Sequence, residues 1–234
     1  MSEHAPALPR LSPGENLRDA ARQALEAALV SGRLQPGLVY SVPSLAEGLG
    51  VSATPVREAM LDLASDGLVV SVRNKGFRVC EPTPHQLDDL VATRALLEIP
   101  TVVTLSLTLD AGRVRRIEAL RPVARRIVEA AGRDDLVAYV EADTRFHLGL
   151  LAEAGNDALV DVVRRLRARS RLLGLAAMAQ DGQLLRQARE HEELLDVVLS
   201  GDGAATESAM RKHLRDVRGE SADDRRLGVA VPGQ

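Results

Sequence analysis

The stretch P-S-L-A-E-G-L-G-V-S-A-T-P-V-R-E-A-M-L-D-L-A-S-D-G-L, residues 43–68, decides how the first third of the chain folds. Its spacing predicts a short helix over Val42–Leu49, a break at Gly50, and a second helix running to about Ser65. Ser52 or Thr54 is placed to cap that second helix, and Pro55 suits its first turn, where a backbone N–H has no intrahelical partner. Leu45, Leu49, Val51, Val56, Met60 and Leu63 supply a shared apolar face, with Ala46 and Gly50 small enough for two helices to cross closely. With that face buried, Ser52, Ala53, Thr54 and Arg57 point outward from the start of the second helix.

Upstream, apolar residues recur with helical spacing from Glu15 to Val30, and S-G-R-L-Q-P-G ends that helix, Gly32 taking the left-handed cap. Downstream, L-V-V-S-V and F-R-V-C flank R-N-K-G, which reads as a hairpin. Helix, turn, helix and hairpin make the order of a winged helix-turn-helix. A recognition helix reads base edges with its first turns, and its N-terminal amides favour phosphate. Arg57 can make a bidentate contact to guanine, worth about 1–3 kcal/mol of discrimination. Arg73, Lys75 and Gly76 form the tip of the wing, with Arg78 beside them, within reach of phosphate or a minor groove.

The succession P-G…L-A…L-G-V-S…T-P-V-R-E-A…L…G-L resembles the DNA-binding domain of the GntR family of bacterial transcription regulators over about residues 15–80. The resemblance implies a homodimer on a short pseudo-palindromic double-stranded operator. Two positions depart from the family pattern: Pro43 and Ala53 stand where many relatives carry Arg or another polar residue. With fewer hydrogen-bonding readers, the operator preference of relatives does not carry over.

The organisation expected is a flexible arm over 1–14, a DNA-binding unit over 15–81, a stiff linker over 82–84, an all-helical unit over 85–220 and a mobile tail over 221–234. Thr83 is placed to cap the first helix of the second unit. Breaks near Ala111-Gly112, Gly132–Asp134, Gly155-Asn156, Asp181-Gly182 and Gly201–Gly203 divide that unit into about six helices, the first interrupted at Pro100. That number is enough for an antiparallel bundle. The fold class is therefore mainly α, a winged helix-turn-helix followed by an all-α antiparallel bundle. Composition agrees: no Trp, two Tyr and two Phe leave Ala, Leu and Val to build the core.

Net charge is −3, and residues 1–84 hold eight basic against nine acidic side chains, so DNA binding has to come from a local patch. The single cysteine, Cys80, excludes an intrachain disulfide framework or a cysteine-rich zinc module and fits a reducing, cytoplasmic setting. No signal pattern opens the chain, and the longest apolar run, Ala95 to Leu109, contains Glu98 and Pro100 and is too short to span a bilayer.

Of five histidines, His4 and His85 read as solvated. Asp143 and His147 stand four apart, about 40° around a helix, and so share a face. His191 and His213 lie in two further apolar-periodic segments. Three helices can thus aim one carboxylate and three imidazoles into the bundle, a donor set suited to a divalent transition metal such as zinc, nickel or manganese with positions left open. Residues 85–220 resemble the effector-binding FCD domain of the FadR-like branch, whose D-x3-H pattern and two later histidines are matched by these four residues. The resemblance implies a small carboxylate effector at the metal, helped by an arginine on the domain's first helix. Arg94 occupies that place, and a salt bridge to Glu98 is the other reading of it. Asn156 reads as a helix cap, and Arg145 and Arg164 to Arg171 as mostly a solvated face.

The expected function is a ligand-responsive regulator, a repressor in the first instance. The alternatives are a DNA-binding protein whose bundle only dimerises, and a metal-dependent hydrolase. Against the hydrolase, there is no H-E-x-x-H, G-x-S-x-G or Walker loop, and Cys80 has no histidine nearby in sequence.

Overall fold

The structure is a computed structural model that describes residues 8, 10–11, 16–180 and 183–216. The tail 221–234 and His4 lie outside the described residues, as do most of the arm 1–14 and the side chain of Arg171.

The N-terminal unit is α1 (Leu17–Val30), β1 (Val39–Tyr40), α2 (Val42–Leu49), α3 (Ala53–Ser65), β2 (Val69–Val72) and β3 (Gly76–Val79). Its core joins Leu25 and Leu29 of α1, Leu45 and Leu49 of α2, and Val56, Met60 and Leu63 of α3, closed by Phe77 and Val79 of the wing. Gly32 has φ +72° and donates its N–H to Leu29 O, ending α1 as its sequence suggests. Gly50 ends α2 as read in sequence, but it is not selected by a close helix crossing. A β-carbon there meets only Arg10 at 3.5 Å, and what selects glycine is its φ of +70° as the left-handed cap of α2.

The wing has a third strand. β1 pairs antiparallel with β3, which pairs with β2, in the order β1-β3-β2 with Val39 opposite Arg78 and Val69 opposite Val79. Gly76 sits where β3 passes β1, at φ +125°, and a β-carbon there would collide with the carbonyl oxygen of Tyr40. Gly76→Ala is therefore expected to destabilise the unit by about 2 kcal/mol or more. Urea unfolding followed by circular dichroism checks this, and an unchanged midpoint would mean that β1 does not pack as described.

The second unit holds α4 (Pro84–Leu107), α5 (Ala111–Glu118), α6 (Arg121–Ala131), α7 (Leu136–Ala152), α8 (Asp157–Gln180), α9 (Leu184–Leu199) and α10 (Gly203–Asp216). Thr83 caps α4 in a reciprocal box with Gln86, and Asn156 Oδ1 accepts the N–H of Leu159 at the start of α8. Two expectations need correction. Pro100 does not interrupt the first helix, since α4 runs through it. A helix-interior proline costs about 3 kcal/mol, but Pro100 is exposed while Ile99, Val102 and Leu105 around it are buried. A break unmarked by glycine separates α5 from α6, where Pro122 lacks the N–H that would continue the ladder and takes a first-turn position instead.

Contrary to the reading of the apolar run as too short, α4 has the length and composition to cross a bilayer. Its place is inside the bundle, against α8, α9 and α10, and it carries the buried pair Arg94 and Glu98.

Candidate functional site

The first candidate surface is the outer edge of α3. Ser52 is its N-cap but makes no side-chain capping bond, so the hydroxyl and the first-turn amides face outward. Ser52, Ala53, Thr54 and Arg57 are all exposed. The helix is fixed from behind by Val56, Ala59, Met60 and Leu63, and by Arg18 of α1, which donates to both carboxylate oxygens of Asp62 at 2.9 and 2.7 Å. At the wing tip Arg73, Asn74 and Lys75 are exposed, with Asn74 at φ +58° and the Lys75 N–H bonded to Val72 O at 3.0 Å. Arginine and lysine side chains are thus exposed at the tip of a hydrogen-bonded hairpin.

The second site lies within the bundle. The Nε2 atoms of His147 on α7 and His191 on α9 are 3.1 Å apart, and that of His213 on α10 is 3.1 Å from His147 Nε2. Asp143 Oδ1 lies 3.1 Å from His191 Nε2 and 3.7 Å from His147 Nε2. All four residues are buried, and Phe146 stands edge-on to His147 and His191, 5.1 and 5.0 Å between ring centres.

The outer nitrogens explain how the rings are set. His213 Nδ1 is 3.1 Å from a Glu190 carboxylate oxygen, and His191 Nδ1 is 3.1 and 3.0 Å from the carbonyl oxygens of Gln187 and Ala188. Both Nδ1 atoms therefore carry the proton and donate, which leaves the Nε2 lone pairs facing inward. Burial, then the cationic Arg167, holds the His147 pKa well below the usual imidazole value, with Asp143 opposing. Burial likewise holds His213 well below it, with His191 next in effect. The Nε2 lone pairs of His191 and His213 thus point toward His147 Nε2, where either an N–H of His147 or a cation between the rings meets them. Nitrogens held about 2.0–2.1 Å from one ion sit about 3.0–3.4 Å apart, so the spacing suits a bound metal.

A chain of buried charges adjoins the histidines. Arg94 Nε donates to Glu98 Oε1 at 2.6 Å, and its Nη1 to Ser170 Oγ at 3.2 Å. Arg167 Nη1 reaches Glu98 Oε2 at 3.4 Å, and its Nη2 donates to Asp143 Oδ2 at 2.6 Å. Burial would raise the Glu98 carboxyl, but Arg94 and Arg167 overcome this and hold it below the usual range. Arg94 thus makes the ion pair that was one of its two readings.

Arg167 corrects the reading of the run 164–171 as mostly a solvated face. It is 1% exposed and lies on the stripe Val163, Arg167, Ser170, whose helical spacing is the signal that a count of arginines hides. Glu190, 7% exposed and bound to both His213 and Lys212, is the other residue that sequence reading did not single out.

Comparison with known proteins places both units in one family. Residues 17–79 match the profile described as bacterial regulatory proteins, gntR family, and residues 89–216 match the FCD domain. A helix-turn-helix transcriptional regulator from an unstable DNA locus of Streptomyces ambofaciens is 31% identical over 188 residues, covering 79% of this chain and 76% of its own. The transcriptional repressor RspR of Escherichia coli is 25% identical over 211 residues, covering 89% of this chain and 90% of its own. The solved structure of E. coli McbR/YncC shares the fold, with a TM-score of 0.71 at 23% identity over 86% of this chain and 95% of that one. The chain is a transcription regulator rather than an enzyme, and it belongs to the GntR family of bacterial regulatory proteins, with an FCD domain following the DNA-binding one.

Proposed function

We propose that this regulator is a cytoplasmic, homodimeric repressor whose FCD domain reads a small carboxylate through a divalent transition metal. His147, His191, His213 and Asp143 hold the metal, zinc in the first instance and nickel or manganese otherwise. Ser52, Thr54, Arg57, Arg73 and Lys75 contact the operator. The observation that carries the sensing half is the meeting of the Nε2 atoms of three buried histidines inside the bundle. Bound there, the metal supplies a Lewis-acidic centre for an oxygen ligand.

Electrostatics favours an anion as that ligand. Around the histidines, Arg94 and Arg167 balance Glu98 and Asp143, and Glu190 is shared with the more exposed Lys212, so a dication adds charge that the described residues offset only in part. Burying it is costly without a counter-charge. Asp143 Oδ2 is held by Arg167, which leaves Oδ1 for the metal. Arg167 Nε and Gln187 Nε2 are buried with no hydrogen-bond partner among the described residues, donors that an acceptor-rich ligand would satisfy.

Metal analysis of protein purified without chelator tests the reading, with about one metal per chain expected. Thermal-shift screening of the metal-loaded protein against mono- and dicarboxylates should then reveal stabilising acids. Metal-free protein that also binds none on addition would leave the bundle as a dimerisation unit.

A further inference from the structure

The metal centre and the DNA-reading unit sit back to back on two helices. On α7, Asp143 faces the histidines, while Thr144 lines a cavity of about 180 Å³ on the other side. On α8, Arg167 holds Asp143 at 2.6 Å, while Arg164 and Ala168 line that same cavity. The cavity's opposite wall belongs to the N-terminal unit, from α1 and from the turn that ends α3.

Asp66 stands at the centre of this seam. It caps the C-terminus of α3 and is 8% exposed. Arg22 of α1 donates to it at 2.7 Å, and Arg164 of α8 approaches its other oxygen at 3.9 Å. One residue on, Gly67 lies against Arg169 of α8, whose Cδ would be 3.0 Å from a β-carbon there. Ala168 packs against the N-terminal core, and Val30 of α1 against the bundle core.

We propose that Asp66 is the positioning residue through which the bundle sets the orientation of the recognition helix. Arg167 and Arg164 lie about one turn apart on α8, so a displacement of that helix at the metal site moves the guanidinium that faces Asp66 at 3.9 Å and is held at 2.9 Å by Asp161 of the same helix. The packing of α1 against α7 and α8 and of Gly67 against Arg169 holds the units together. Asp66 is the member of this seam that caps α3, and the cavity beside it gives α8 room to shift. The inference rests on the metal reading above.

Hydrogen exchange of the full chain, with and without one equivalent of Zn²⁺, tests it in the wild type, Asp66→Asn and Arg164→Gln, with zinc stoichiometry measured on each. In the wild type, zinc should slow exchange of the amides in the second half of α3 about fivefold or more. Both variants should bind zinc fully and lose most of that response. Arg164 is partly exposed, so its variant guards against a mere folding defect in the other. An equal response in the variants, or a silent α3 in zinc-loaded wild type, overturns the role of Asp66 alone. Failure of the wild type to take up zinc overturns the metal reading and this inference with it.

Discussion

Arg57→Ala is expected to abolish retention of operator DNA in a gel-shift assay at protein concentrations that fully retain it with the wild type. The operator for this test is the duplex that the wild-type protein selects from a random pool. A bidentate arginine–guanine contact carries about 1–3 kcal/mol of discrimination, which is about fivefold to more than a hundredfold in affinity. The net charge is −3, and of the exposed residues at the start of α3, Ser52, Ala53, Thr54 and Arg57, only Arg57 carries a guanidinium. The fold should be untouched, because α3 is anchored by Val56, Ala59, Met60 and Leu63 on the opposite face and by the Arg18–Asp62 pair. The control is therefore an unchanged circular dichroism spectrum and an unchanged elution volume. Replacing Lys75 should behave differently. It should weaken binding evenly across sequences and lower the salt slope by about one. Retention that survives Arg57→Ala would remove Arg57 from the interface.

How much of this was legible in the sequence depended on the range of the forces involved. α2, its glycine stop and α3 were readable because helical periodicity, the N-cap at Ser52 and Pro55 are local signals that agree. β1 was not, since Val39–Tyr40 has no periodicity of its own and exists through its pairing with β3. Pro100 misled for the converse reason. Its local cost is real, but packing of the residues around it decides the outcome. The histidines stood out because imidazoles are rare here and each lies on an apolar stripe. Arg167 was hidden among neighbouring arginines, although its position four after Val163 and three before Ser170 marks the buried face. Arg94 and Glu98 were readable as a pair. That a second arginine shares Glu98 and reaches on to Asp143 required the crossing of α4, α7 and α8.

His191→Ala should reduce the metal content from about one per chain to background while the bundle stays folded. His191 Nε2 lies 3.1 Å from both His147 Nε2 and Asp143 Oδ1, so its loss removes a donor shared by both sides of the site. Glu190→Gln keeps all three imidazoles but weakens the acceptor that orients His213. Its effect should be smaller, a loss of about 10–100-fold in metal affinity. The metal-free protein should also be sensitive to acid, with a definite sign. Burial lowers the pKa of His147 and His213 in the folded state, whereas in the unfolded chain both titrate near pH 6.5. Above that pH neither state takes up the protons and the fold keeps its full stability. Below it the unfolded chain binds protons that the fold refuses, so stability drops by up to about 1.4 kcal/mol per pH unit for each histidine, or about 2.7 for the pair. Urea unfolding in the presence of a chelator should therefore show a clearly lower midpoint at pH 5.5 than at pH 7.5. His147→Ala and His213→Ala should each flatten that dependence. Equal midpoints at the two pH values would mean that the imidazoles are solvated, and full metal content in His191→Ala would mean that the ligands lie elsewhere.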